Sequence, residues 1–327
     1  MFPRSAWEHT RLDAPRRLGY RERTQSVPPA PLCFWASRKV WQMIKFTKMH
    51  GLGNDYVVID ALKQAPPEGK LAALAKALSD RHFGIGSDGL ILVLPSRAAH
   101  FRMRIFNSDG SEAEMCGNGM RLFAKFVYER NYTRERELEV ETLAGIIRPH
   151  LRVRNGKVTG VQVDMGAPRL ARSDIPMKGP DQPRVVGERL RVGGQRYSVT
   201  AVSMGNPHCV LFVEDVERAK VEVIGPAIER HDLFPRRTNV EFAQIVGSGE
   251  IRMRVWERGA GETLACGTGA AATLVAAVLN GLSPRKARVH LRGGDLQASW
   301  NPENDHVFIE GPAAEVFTGE TGLDESL

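Results

Sequence analysis

Phe106-Asn107-Ser108-Asp109-Gly110-Ser111-Glu112-Ala113-Glu114-Met115-Cys116-Gly117-Asn118-Gly119 and Trp256-Glu257-Arg258-Gly259-Ala260-Gly261-Glu262-Thr263-Leu264-Ala265-Cys266-Gly267-Thr268-Gly269 are two copies of one frame. Each reads as strand, loop, Cys-Gly-x-Gly, helix. A second echo pairs Gly53-Asn54-Asp55 with Gly205-Asn206-Pro207 at nearly the same offset. A two-unit repeat is too short for a solenoid, so two related halves meeting across a shared site are the natural architecture.

Around these motifs the chain alternates short strands with a few helices. Met43 to His50, Tyr56 to Ile59, Leu90 to Leu94, Val161 to Val163, Tyr197 to Val202, Cys209 to Val213 and Val307 to Ile309 have strand character. Helices are predicted over 70–79, 119–129 and 269–280, the last apolar on every side and therefore expected in a core. Gly84-Ile85-Gly86-Ser87-Asp88-Gly89 matches a dinucleotide-binding glycine pattern, but the helix precedes it and the strand follows, the reverse of what that motif needs. Arg81, His82 and Asp88 read as loop scaffolding and Cys209, inside an apolar strand, as core.

Cys-Gly-x-Gly at a helix start has a definite physical consequence. The glycines free the backbone, the first N–H groups of the helix point outward unpaired, and such an end attracts anions. It also favours the thiolate of a cysteine placed there. Two thiols facing one pocket could serve as a redox pair, as metal ligands, or as acid and base on opposite faces of a carbon. The chain has no CxxC pair and no third and fourth ligands at metal spacing. Proton removal from one face and delivery from the other explains the duplication directly, with one cysteine as thiolate and the other as thiol.

The formal charge of +7 suggests nucleic acid until it is located. Residues 1–42 hold eight basic side chains against three acidic ones, which leaves a nearly balanced body with no basic stripe and few aromatics. Nucleic-acid binding is not expected. No stretch reaches the ~20 apolar residues of a membrane helix. Cysteines at 33, 116, 209 and 266 lie far apart, which fits reduced thiols in a cytoplasm rather than a disulfide framework. Residues 1–42 lack a core pattern, a secretory h-region and the bias of a transit peptide, and read as a disordered extension from a start set too far upstream.

Lys48-Met49-His50-Gly51-Leu52-Gly53-Asn54-Asp55-Tyr56, Ser203-Met204-Gly205-Asn206-Pro207-His208-Cys209, Thr238-Asn239-Val240 and Glu257-Arg258-Gly259-Ala260-Gly261-Glu262-Thr263, with the second Cys-Gly-x-Gly, resemble the diaminopimelate epimerase family from about Met43 to Phe317. The resemblance implies an isomerase that interconverts LL- and meso-2,6-diaminopimelate for lysine and peptidoglycan synthesis, as a cytoplasmic homodimer without pyridoxal phosphate, metal or other cofactor. Its only expected partners are the small-molecule substrate and a second copy of the chain.

By that resemblance Cys116 and Cys266 are the catalytic pair. Gly117, Asn118, Gly267 and Thr268 hold the reacting carboxylate, and Asn54, Asn107, Asn206, Asn239, Glu257 and Arg258 contact the rest of the substrate, with His208 and Glu257 tuning the thiols. A zwitterionic distal centre suits a guanidinium, a carboxylate and rigid amides. Proline and hydroxyproline racemases share the two-cysteine logic but tend to show His at the position of Asn118.

The implied fold class is α+β: two pseudo-symmetric domains, each a curved mixed β-sheet or barrel around a central helix. Residues 43–163 with 311–327 form the first and residues 164–310 the second. Gly89 stands where some members carry a substrate-binding Gln, and Phe317 where some have an interface Tyr.

Overall fold

The computed structural model describes residues 42–323; the amino-terminal extension read from the sequence lies outside the described residues. Four α-helices and two mixed sheets make up the described chain: α1 (Leu71–Ser79), α2 (Gly117–Glu129), α3 (Val221–Glu229) and α4 (Gly267–Leu279). The first sheet runs in the order Ala314–Leu323, Gln42–Gly51, Asn54–Asp60, Gly89–Leu94, Phe101–Asn107, Val140–Thr142, Gly145–Ile147. The second has Val185–Val192 at one edge and His150–Arg154 at the other, with Pro207–Phe212, Asn239–Gly247 and Glu250–Glu257 near its middle.

The duplication is literal at the level of pairing. Asn54–Asp60 runs parallel to Gly89–Leu94 with Tyr56 opposite Gly89, and Pro207–Phe212 runs parallel to Asn239–Gly247 with His208 opposite Asn239. Arg104 grips Glu112 through Nε (2.7 Å) and Nη2 (2.9 Å), and Arg254 grips Glu262 at the same two distances. Each fork spans the loop that leads to a cysteine. A bidentate guanidinium–carboxylate pair fixes orientation as well as distance, so both loops are held in the same shape.

Each half surrounds one of the two cysteine-bearing helices. Met120, Leu122, Phe123, Ala124, Phe126 and Val127 of α2 are buried against the first sheet, and Leu274 and Val275 lie among the alanines of α4 in the second core. The alanines Ala270, Ala271, Ala272, Ala276 and Ala277 are all buried, so α4 is enclosed on every face, as its pattern predicts. The hairpin His150–Arg154 and Lys157–Asp164 hydrogen-bonds into the second sheet through Val307–Gly311, yet Leu151, Val158, Val161 and Val163 pack into the core around α2. It therefore belongs to both halves.

Two helices begin earlier than periodicity suggests, at Gly117 and Gly267, because each cysteine is itself the N-cap. Helix α3 has no counterpart in the sequence reading. Pro226 sits inside it and reads as a breaker, but a nine-residue helix loses only one internal hydrogen bond to it.

Gly89 illustrates how tightly the first half is packed. A Cβ there would lie 2.2 Å from the Phe106 carbonyl oxygen and 2.9 Å from the Tyr56 ring, so the longer side chain of some relatives has no room. Gly89→Ala should lower stability by about 1–3 kcal/mol, read as a fall in urea midpoint at unchanged m-value, because backbone and not a flexible side chain must move.

Candidate active site

The site assembles where α2 and α4 begin. Cys116 Sγ accepts from the Gly119 N–H at 3.4 Å, and Cys266 Sγ accepts from the Gly269 N–H at 3.3 Å. Each thiol thus occupies the position of a capping oxygen, at the positive end of a thirteen-residue helix. The two ends meet. Asn118 donates from Nδ2 to Asn54 Oδ1 (3.1 Å) in its own half and to the Ala265 carbonyl (3.5 Å), the residue before Cys266, in the other.

The surroundings of the two sulfurs differ. Cys116 is half-buried, with the Tyr56 hydroxyl at 3.5 Å and Asn54 Oδ1 at 4.0 Å. Burial and the neighbouring Cys116 push the Tyr56 phenol well up, so it is a neutral hydrogen-bonding partner at this thiol. Cys266 is buried, with the Thr268 hydroxyl at 3.4 Å. Burial, reinforced by Glu257 and Glu241, pushes this thiol well above its ordinary range. Burial also raises Glu257, whose carboxylate accepts from the Thr263 hydroxyl.

Behind Cys266 runs a polar chain. His208 Nδ1 meets Glu241 Oε1 at 2.6 Å, His208 Nε2 meets Asn206 Oδ1 at 2.9 Å, and Asn206 Nδ2 donates to Thr268 Oγ1 at 3.4 Å. Asn239 donates to the Pro207 carbonyl (3.1 Å) and accepts the Arg258 N–H (2.8 Å), so it sets the start of the Arg258 loop. The Arg258 side chain is exposed, bonded to the Arg236 carbonyl at 3.1 Å and free of any carboxylate among the described residues. It can receive an anion. Asn107 ends its strand opposite Gly89 with its amide on Ser111 Oγ, 2.9 Å away.

Asp88, Arg81, Glu229 and Glu241 were not among the residues read as the site. Asp88 Oδ2 accepts from Asn54 Nδ2 (2.7 Å) and from the Asp55 N–H (3.0 Å), while Arg81 Nη2 bridges Asp88 and Asp55 at 2.8 Å each. That loop orients the Asn54 amide so that its oxygen faces Asn118 and Cys116. Glu229, buried at the end of α3, accepts from Trp256 Nε1 (2.8 Å) and the Gly259 N–H (3.0 Å) and so carries the loop that bears Arg258. The Asp88 signal lay in the glycine-rich Gly84–Gly89 stretch; Glu229 had none, because its helix was not legible.

Two thiols capping two facing helices, within a duplicated fold, define an isomerase of the racemase and epimerase class. The comparisons with known proteins agree. The diaminopimelate epimerase family model matches residues 46–171 and 200–316. A diaminopimelate epimerase of Moorella thermoacetica is 59% identical over 279 residues, 85% of this chain and 99% of that protein. One from Pelotomaculum thermopropionicum is 57% identical, over 84% of this chain and 98% of its own length. Among solved structures, a Bacillus anthracis phenazine biosynthesis protein has TM-score 0.62 at 17% identity, over 86% of this chain and all of that one. An Agrobacterium vitis hydroxyproline epimerase with bound trans-4-hydroxy-L-proline has TM-score 0.60 at 15% identity, over 86% and 92%. At such identities these two show the shared fold alone. This chain belongs to the diaminopimelate epimerase family.

The Asp88 contacts lead to a direct test. Asp88→Ala removes the acceptor that fixes Asn54 and should lower kcat about tenfold, the loss of one charge-assisted hydrogen bond, with only a small fall in Tm. Wild-type kcat in this variant would show that Asn54 is held without it.

Proposed function

We propose that this chain interconverts LL- and meso-2,6-diaminopimelate by a two-base mechanism in which Cys116 and Cys266 exchange roles as acid and base. The duplicated cysteine N-cap carries the reading. One thiol on each side of the α-carbon supplies both faces that inversion requires, and the two helix starts supply N–H groups for the carboxylate on that carbon. As the α-proton leaves, negative charge grows on this carboxylate, where donors fixed in advance lower the barrier most. Gly117, Asn118, Gly267 and Thr268 are assigned to this role.

The distal amino-acid centre of the substrate falls to Arg258, Glu257, Asn54, Asn107, Asn206 and Asn239, with His208 and Glu257 setting the protonation of the thiols. The chemistry uses only these side chains and needs no cofactor. The product serves lysine and peptidoglycan synthesis in the cytoplasm. In the same reading the active form is a homodimer and the two pseudo-symmetric halves are separate domains, 43–163 with 311–327 and 164–310. Phe317, exposed and in edge-to-face contact with Phe46 at 5.9 Å between centroids, supports a contact on the outer strand.

Cys116→Ser and Cys266→Ser should each cripple epimerisation of LL-diaminopimelate, because a hydroxyl cannot be the poised base near neutral pH. Arg258→Ala should instead weaken substrate binding by about 1.5–3 kcal/mol through loss of a charged fork. Steady-state rates with α-proton exchange in deuterated water check both. Wild-type epimerisation by either serine variant, or faster exchange with hydroxyproline than with diaminopimelate, would refute the assignment.

A further inference from the structure

The two halves agree in the pairing of their parallel strands and in the Arg–Glu forks but differ in a buried charge at the start of each cysteine-bearing helix. In the first half a Cβ on Gly119 would meet Ile91 Cδ1 at 3.2 Å; in the second, a Cβ on Gly269 would meet Glu241 Oε1 at 2.9 Å. Ile91 lies two residues beyond Gly89 and Glu241 two beyond Asn239, the paired positions of the two parallel ladders. An aliphatic side chain under the first turn of α2 is therefore replaced by a carboxyl under the first turn of α4. The converse holds for the helices. Arg121 on α2 occupies the position of Ala271 on α4, counted from the capping cysteines.

Both charged groups are buried, Arg121 at 1% exposure and Glu241 at 0%. Arg121 has no carboxylate partner among the described residues; Nη2 donates to Asn118 Oδ1 (2.9 Å) and Nε to the Pro312 carbonyl (3.3 Å). Burial pulls its guanidinium down to about 10, and the neighbouring Cys116 pulls the other way. Glu241 offers Oε1 to His208, while Oε2 has no hydrogen-bond partner. Burial pushes this carboxyl up and His208 draws it back. A buried polar atom left unpaired is costly and calls for an explanation. The proposed reaction, as assigned above, uses neither residue.

We propose that Arg121 and Glu241 are a pair of positioning charges that fix where the two cysteines keep their one shared proton in the resting enzyme: on Cys266, leaving Cys116 as the base. The two fields act in the same sense. A cation buried beside the start of α2 favours negative charge on the sulfur that caps it. The Glu241 carboxylate, whose Oε1 His208 holds beneath the start of α4, disfavours it there in its ionised form, in the same sense as burial and Glu257. In low dielectric such single charges act over several ångströms. Tyr56 and Asn54, the remaining groups at Cys116, are neutral donors and acceptors. Asp88 stands behind Asn54 with its charge bound by Arg81, and His208 holds Glu241 Oε1 and reaches the Cys266 sulfur through Asn206 and Thr268. The resting enzyme is thus primed for the epimer whose α-hydrogen faces Cys116. Cys116 takes that proton and Cys266 gives up its own, so a proton must return to Cys266 before the next turnover in the same direction, whereas turnover of the opposite epimer restores the resting form directly.

The inference rests on the two cysteines being the acid–base pair, but its test requires no turnover. The full chain is labelled with [3-13C]cysteine, and the Cβ shifts, which report thiol ionisation, are followed against pH by NMR. Cys116→Ser and Cys266→Ser assign the two signals. In the wild type at neutral pH, Cys266 should be the thiol and Cys116 the thiolate. In Glu241→Gln, Cys266 should ionise about one pH unit lower while Cys116 is unmoved, the size expected for loss of one partly compensated buried charge. Glu241→Ile, which installs the residue of the other half, should act in the same direction and covers the case in which Gln disturbs folding. A wild-type thiol on Cys116, no shift at Cys266, a shift upward, or equal shifts at both cysteines would each overturn the proposal. An upward shift would mean that Glu241 acts through His208, Asn206 and Thr268 to assist the thiolate. Wild-type epimerisation by a serine variant would refute the acid–base reading itself, so the two failures are separable.

Discussion

The sulfur–amide hydrogen bond at each helix start is the constraint from which the rest of the molecule follows. A thiol that caps a helix cannot move away from the axis of that helix, and its backbone must be extended, as it is at Cys116 (φ −142°) and Cys266 (φ −125°). The residue that follows must be small, and the helix must be buried deeply enough that water does not satisfy the same N–H groups. Enclosing α2 and α4 within the sheets meets the last requirement. It also explains the alanines of α4: a bulky face would hold the strands away from the helix axis.

Around this shared frame the two halves diverge by exchange of single residues. Asn118 answers Thr268, Asn107 answers Glu257, Tyr56 answers His208, and Ile91 answers Glu241. Two copies of one scaffold can hold both sulfurs at equivalent positions while giving them different surroundings. Geometry is conferred by the backbone and the guanidinium forks, and chemistry by the few side chains beneath the helix starts. A symmetric dimer of identical halves would supply the geometry but not the difference.

Much of this was legible from the sequence. The duplicated Cys-Gly-x-Gly frame marks both helix starts within two residues, and the all-round apolar pattern of 269–280 places it in a core. What was not legible depends on register. Asn54 and Asp88 are 34 residues apart, His208 and Glu241 are 33, and parallel pairing alone brings each couple together. No local pattern around Asp88 or Glu241 announces a partner that far away. Helix α3 was hidden because Pro226 sets its local signal against its tertiary packing on Trp256, and packing wins. The place of 150–164 was hidden for a different reason: the backbone of that hairpin joins one sheet and its side chains join the core of the other.

The outer strand Ala314–Leu323 pairs along nearly its whole length with Gln42–Gly51, and the Pro312 carbonyl beside it receives Arg121 from α2. The first sheet therefore takes its edge from the end of the described chain. During synthesis, the strands of the second sheet up to Val307–Gly311 leave the ribosome before that edge exists. The half made first is completed last in the order of synthesis, and until then Gln42–Gly51 presents an unpaired edge and Arg121 lacks the acceptor for its Nε. The strand that closes the first half is thus the last of the described elements to be made, although it lies beside the first of them in the sheet.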